Sequence, residues 1–67
     1  MLVLQVNGKP EQLPPGISVA GLIARMQLAG KRFAIELNGE IVPKSRHAVT
    51  TLNDGDKLEV VVAVGGG

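Results

Sequence analysis

Apolar and polar residues alternate from Met1 to Val6, with Leu2, Leu4 and Val6 on one side and Val3 and Gln5 on the other. A period of two predicts a half-buried strand. Asn7-Gly8 comes next, and because both residue types accept positive φ, a tight hairpin turn is expected, with a short second strand through Glu11 to Leu13. Pro14-Pro15-Gly16 stops that strand and redirects the chain. The period then changes. Val19, Leu22, Ile23 and Met26 fall at i, i+3, i+4 and i+7, which predicts a helix capped by Ser18, with its apolar stripe against a sheet and Gly30 as its stop. Gly21 within that helix costs up to about 1 kcal/mol relative to alanine unless close packing requires the missing side chain. Met26, at helical spacing among Leu and Ile, reads as core filler.

Alternation returns at Phe33, Ile35 and Leu37, set against Ala34 and Glu36, and leads to a second hairpin signal at Asn38-Gly39. Glu40-Ile41-Val42 is the short partner, halted by Pro43. From Lys44 to Asn53 no period is clean, so a loop with a helical turn is expected, with Leu52 tucked under the sheet. Asp54-Gly55-Asp56 makes a turn into a last strand, Leu58 to Val64. Leu58, Val60, Val62 and Val64 should face the helix, and Glu59, Val61 and Ala63 the other way. One amphipathic helix covers one face of one sheet, which makes an α+β two-layer domain the economical packing, with a mixed sheet of four to five strands. The last strand is the most continuously apolar and is expected to lie centrally. Val61 and Ala63 would then form apolar surface on the uncovered face, a candidate docking site.

Composition narrows the chemistry. With 67 residues the chain holds one domain, read as a body over 1–64 and a glycine tail over 65–67. The absence of cysteine excludes a disulfide framework, a thiolate metal site and a cysteine nucleophile. Seven Lys/Arg against six Asp/Glu give a formal charge of +1, with the cations dispersed along the chain. Phe33 is the sole aromatic, so no base-stacking platform is offered to nucleic acid. No apolar run approaches a bilayer span and no signal peptide opens the chain, so Met1 reads as a native start in the cytoplasm. His47 reads as a solvated loop residue, Asp54 and Asp56 as turn formers rather than a calcium loop, and Glu36 with Glu40 as exposed hairpin flanks rather than an acid/base pair. No phosphate-binding loop, metal site or cofactor is expected.

The remaining feature is Gly65-Gly66-Gly67, directly after Val60-Val61-Val62-Ala63-Val64. Glycines make a flexible, narrow tail, open around its last carbonyl and reaching roughly 10 Å beyond the strand. That suits insertion into another protein's cleft. The terminal carboxylate is an anion at neutral pH and a poor acceptor for nucleophiles, so it needs activation before any chemistry.

Over essentially its whole length the chain resembles the small ubiquitin-like β-grasp sulfur carriers, and among them the thiamine-biosynthesis branch. The residues that carry the resemblance are the Leu4-Gln5-Val6-Asn7-Gly8 hairpin, the helix start Ser18-Val19-Ala20-Gly21-Leu22-Ile23, and Ala34-Ile35-Glu36-Leu37-Asn38-Gly39-Glu40-Ile41-Val42-Pro43. Asp54-Gly55-Asp56-Lys57-Leu58-Glu59-Val60-Val61 and the glycine terminus complete it. It implies a β-grasp fold and a protein cosubstrate that is not itself an enzyme. An E1-like adenylyltransferase (ThiF) would use Mg-ATP to adenylate the Gly67 carboxylate. Sulfur originating from a cysteine desulfurase would displace AMP, and the Gly67 thiocarboxylate would serve thiazole synthase (ThiG). Gly65 and Gly66 would thread both enzymes' clefts, and Ile41, Val61 and Ala63 would dock a carrier that is monomeric when free. This chain has three terminal glycines where the minimal pattern has two. The alternatives are a carrier of the molybdopterin synthase small-subunit type, a ubiquitin-like modifier conjugated through Gly67, and a plain β-grasp interaction module.

Overall fold

The structure, a computed structural model, describes residues 1–63; Val64 and the predicted glycine tail, Gly65, Gly66 and Gly67, lie outside the described residues. The elements are β1 (Leu2–Val6), β2 (Lys9–Leu13), α1 (Val19–Arg25), β3 (Phe33–Leu37), β4 (Glu40–Ile41), a 3-10 turn (Lys44–Arg46) and β5 (Lys57–Val62). One mixed sheet of five strands runs β2-β1-β5-β3-β4, with β1 parallel to β5 and the other pairs antiparallel. With one helix packed on it, this is the β-grasp arrangement, and the last strand is central as its apolar run predicts.

Both Asn-Gly pairs take left-handed φ at both positions, 54° and 80° at Asn7-Gly8 and 52° and 87° at Asn38-Gly39. Such turns match the strand twist, and β2 therefore starts at once, at Lys9 rather than Glu11. The two asparagines also work at long range. Asn7 Oδ1 accepts the Val60 N–H at 2.7 Å and its Nδ2 donates to the Val60 carbonyl at 3.3 Å. β1 pairs with β5 only at Gln5 and Val6, so this side chain continues the ladder after the backbone has turned away. Asn38 does the same at the start of β5, where its Oδ1 accepts the Lys57 N–H at 2.9 Å. Asn7→Gly keeps the turn geometry and removes only the side-chain bonds. It is expected to cost about 1–3 kcal/mol, read as a lower urea midpoint, because the part-buried Val60 backbone loses its partner; an unchanged midpoint would show that the side chain is dispensable.

Helix α1 is only seven residues long, too short to persist alone, and both ends are tied. Ser18 Oγ accepts the Gly21 N–H at 3.1 Å, as expected of the cap. The Val19 and Ala20 N–H groups donate to the carbonyls of Thr50 and His47, both at 2.9 Å, so the loop without a clear period is held by the helix donors it satisfies. The C-terminus corrects the sequence expectation. The helix ends at Arg25, not at Gly30, because Gln27 adopts φ 57° and closes a Schellman motif. In it the Gln27 N–H donates to Ala24 and the Leu28 N–H to Ile23, both at 3.2 Å, and Leu28 turns into the core. Gly21 meets the packing condition: a Cβ there would lie 2.8 Å from Ile17 Cγ1.

The core gathers Leu4, Val6 and Leu13 from the first hairpin, Val19 and Leu22 from the helix, and Ile35, Leu58 and Val60 from the other strands. Leu28 and Leu52 close it from the loops, the latter as expected, and Ile23 and Met26 pack against it. Val62 points to the helix side as expected yet is 36% exposed, because the β1–β5 pairing ends at Leu58, four residues earlier.

Candidate functional site

The period-two alternation of β5 and β3 determines which side chains face away from the helix. On that open face Val61 lies opposite Ala34, Glu59 opposite Glu36, and Ile41 on β4 opposite Glu36 from the other side. Ile41 is 62% exposed and Val61 59% exposed, and Ala63 is exposed just past the strand. The three expected docking residues thus share one surface, but they are not contiguous with one another: Ala34 and Glu36 lie between Val61 and Ile41. The Glu36–Glu59 pair sets like charges directly across the ladder, an arrangement that weakens a sheet. Lys57 occupies the same face two positions earlier, where its charge opposes theirs in sign.

The end of β5 is fixed more firmly than the strand bounds suggest. Ala63 N–H donates to the Arg32 carbonyl at 2.9 Å, one step beyond the last paired strand residue. The body is therefore held to β3 up to Ala63, and Val64 with Gly65, Gly66 and Gly67 continues from that anchor in sequence.

Beside this anchor lies a groove of about 410 Å³, lined by Lys31, Arg32 and Lys44 together with Phe33, Pro43 and His47. Ala34 and Ile41 line it too, so it is continuous with the open face. Lys31 and Arg32 are adjacent in sequence, and the antiparallel β3–β4 hairpin is what brings Lys44 to the same end of the sheet. His47 is not the solvated loop residue the sequence implies. It is half-buried, stacked on Phe33 with ring centroids 6.0 Å apart, and one ring nitrogen hydrogen-bonds the Val42 carbonyl at 3.0 Å.

The carboxylates of the Asp54-Gly55-Asp56 turn are engaged structurally. Asp54 Oδ1 accepts the Val3 N–H at 2.7 Å, and Asp56 accepts from the Asn53 N–H at 2.8 Å and from Asn38 Nδ2 at 3.1 Å. Among the described residues no three His, Cys, Asp or Glu side chains converge as a metal site would require. Among them also, no helix is long and apolar enough to cross a membrane.

Comparison with known proteins points the same way. Residues 4–67 match the ThiS family. The sulfur carrier protein ThiS of Bacillus subtilis (strain 168) is 38% identical over 66 residues, covering 97% of this chain and all of that protein. A protein named thiazole synthase, from Paramagnetospirillum magneticum, is 41% identical over 64 residues, which is 96% of this chain but 20% of that one. This chain thus corresponds to about a fifth of that relative's length. In three dimensions it superposes on the crystal structure of the thiamine biosynthesis protein ThiS from Geobacter metallireducens with a TM-score of 0.83 at 33% identity, covering 98% of this chain and all of that one.

Proposed function

The chain belongs to the ThiS family, and from that membership we propose how it works as a sulfur carrier in thiamine biosynthesis. Residues 1–64 are the body and 65–67 the tail that does the work. The Gly67 carboxylate attacks the α-phosphorus of ATP in the active site of an E1-like adenylyltransferase of the ThiF type, and pyrophosphate leaves. The acyl-adenylate now has the leaving group that the free carboxylate lacked. The terminal sulfur of a persulfide supplied from a cysteine desulfurase adds to the carbonyl carbon and expels AMP, and a second thiol then reduces the S–S bond of the resulting acyl disulfide, ending as a disulfide with the thiol that carried the sulfur. The product is a Gly67 thiocarboxylate, whose sulfur passes to thiazole synthase. Gly65 and Gly66 form the stem inside both clefts, and Ile41, Val61 and Ala63 rest against the enzymes' surfaces. The chain is a cosubstrate and not an enzyme, works in the cytoplasm where ATP is at hand, and is monomeric between encounters.

The observation that carries this reading is the position of the anchor. The central strand is tied to β3 through Ala63, the end of the described residues, and in sequence one residue, Val64, separates that anchor from the glycines. Its partner finds support in the Paramagnetospirillum magneticum relative, where a segment like this chain and a much longer remainder share one polypeptide named thiazole synthase. The test is an intact-mass spectrum after incubation with an E1-like adenylyltransferase, Mg-ATP, cysteine and a cysteine desulfurase. The expected result is a gain equal to one oxygen replaced by sulfur, localised to Gly67 and absent without ATP. An unchanged mass with active partners would overturn the reading, and isopeptide adducts to other proteins would replace it with that of a modifier.

A further inference from the structure

The groove beside the Ala63 anchor has a charge pattern that the tail chemistry does not require. Lys31, Arg32 and Lys44 line it from two separate segments, and no Asp or Glu is among the described residues that do so. Asp54 and Asp56 are in the turn before β5, at the opposite end of that strand from Ala63, and the nearest carboxylates, Glu36 and Glu40, border Ile41 on β3 and β4 without lining the groove. Alongside the cations the groove is lined by apolar residues, with Phe33, Ile41 and Pro43 available to a side chain. A site that combines cations with an apolar lining fits a peptide that carries both carboxylates and an apolar residue.

We propose that this groove receives an acidic segment, tipped with an apolar side chain, on the rim of the enzyme cleft that takes the tail. The inference rests on the reading of the chain as a carrier and adds the partner's chemistry to it. Three observations place the occupant. The groove adjoins the residue from which the tail departs, since Arg32 both lines it and accepts the hydrogen bond from Ala63. It is continuous with the open face through Ala34 and Ile41, so one partner covers both. Its charge is of one sign, so an acidic rim is drawn to it while a basic one is repelled, which orients the carrier before the tail enters. The Phe33–His47 stack and the His47–Val42 hydrogen bond hold the floor in place, so the site is formed before the partner arrives.

The test uses the full chain and the synthetic peptide acetyl-Asp-Glu-Leu-Glu-Asp-amide, followed by amide shifts in 1H–15N spectra with no ATP and no enzyme present. Saturable, salt-sensitive shifts are expected within residues 31–34 and 41–47, and the combined K31E, R32E and K44E variant should bind about tenfold more weakly or worse. All three side chains are exposed, so the spectrum of that variant should stay dispersed; if it does not, the Lys31→Gln, Arg32→Gln, Lys44→Gln combination gives the same comparison. No saturable shifts, or shifts centred elsewhere, would overturn the proposal. So would tighter binding at the same residues by inorganic triphosphate or a DNA duplex, which would make the groove a phosphate site. The two readings fail separately. A chain that binds the peptide here but gains no sulfur at Gly67 loses the carrier reading alone, and one that gains sulfur but ignores the peptide loses the groove alone.

Discussion

Replacing Gly66 with valine is expected to slow thiocarboxylate formation about a hundredfold or more while leaving the urea midpoint at the parent value. The two halves of this expectation have different sources. Stability is untouched because the core residues of β5 are Leu58 and Val60 and the last backbone bond among the described residues is that of Ala63, all upstream of the change. Reactivity collapses because a cleft that admits a glycine stem closes around backbone atoms, and a β-branched side chain needs room and restricts φ and ψ next to the reacting carbonyl. A displacement of about 1 Å at the attacking carboxylate suffices for a loss of this size. The check is single-turnover pyrophosphate release with Mg-ATP and an E1-like adenylyltransferase, read together with intact mass. Release at the parental rate would show that the stem is not threaded through a narrow cleft. Gly66→Ala should fall between the two.

Leu58→Ala produces the opposite result, a loss of fold. Leu58 is 1% exposed in the central strand, where it lies between Val6 of β1 and Leu37 of β3. Truncating a leucine at such a position costs about 2–5 kcal/mol, since the neighbours cannot collapse onto the gap. A single core in a chain this small rarely supplies more than about 3–5 kcal/mol in total. The variant is therefore expected to be largely unfolded at 37 °C, with collapsed amide dispersion and no cooperative urea transition. Val61→Ala, one strand residue class over on the open face, should leave the transition where it is. A Leu58→Ala chain with a normal spectrum and a midpoint shift worth under about 1 kcal/mol would show that the core repacks around the loss.

What the sequence made legible follows from the range of the interactions involved. The hairpins are local: alternation on either side of Asn-Gly determines strand, turn and facing, and it places Ile41, Val61 and Ala63 on the open side without further information. The helix start is local too, since Ser18 caps a donor three residues away. Its end was misjudged because Gln27, a residue with no special taste for left-handed φ, holds the position that Gly30 advertised. The second duty of Asn7 was invisible because its partner, Val60, is 53 residues distant. The basic groove escaped for a related reason. Lys31 and Arg32 are adjacent in sequence, but Lys44 joins them only through the β3–β4 pairing. Val62 faces the helix as its pattern says, but its exposure was not legible, because that depends on where another strand stops. The stack of Phe33 on His47 pairs the sole aromatic with the sole histidine, the two flat rings in the chain.

The placing of β5 has a consequence for how the molecule is made. Each flanking hairpin can close on its own as it is synthesised, but β1–β2 and β3–β4 share no edge and meet only across β5. The strand translated after all the others is the one that joins them, through a parallel pairing with the first. Contacts so distant along the chain are made late, after the cost of closing the long loop between them. A polypeptide interrupted before Lys57 is thus left as two hairpins with Leu4 and Ile35 unburied, a species for proteases to clear. A chain that stops short of β5 therefore never assembles the sheet from which the tail extends in sequence.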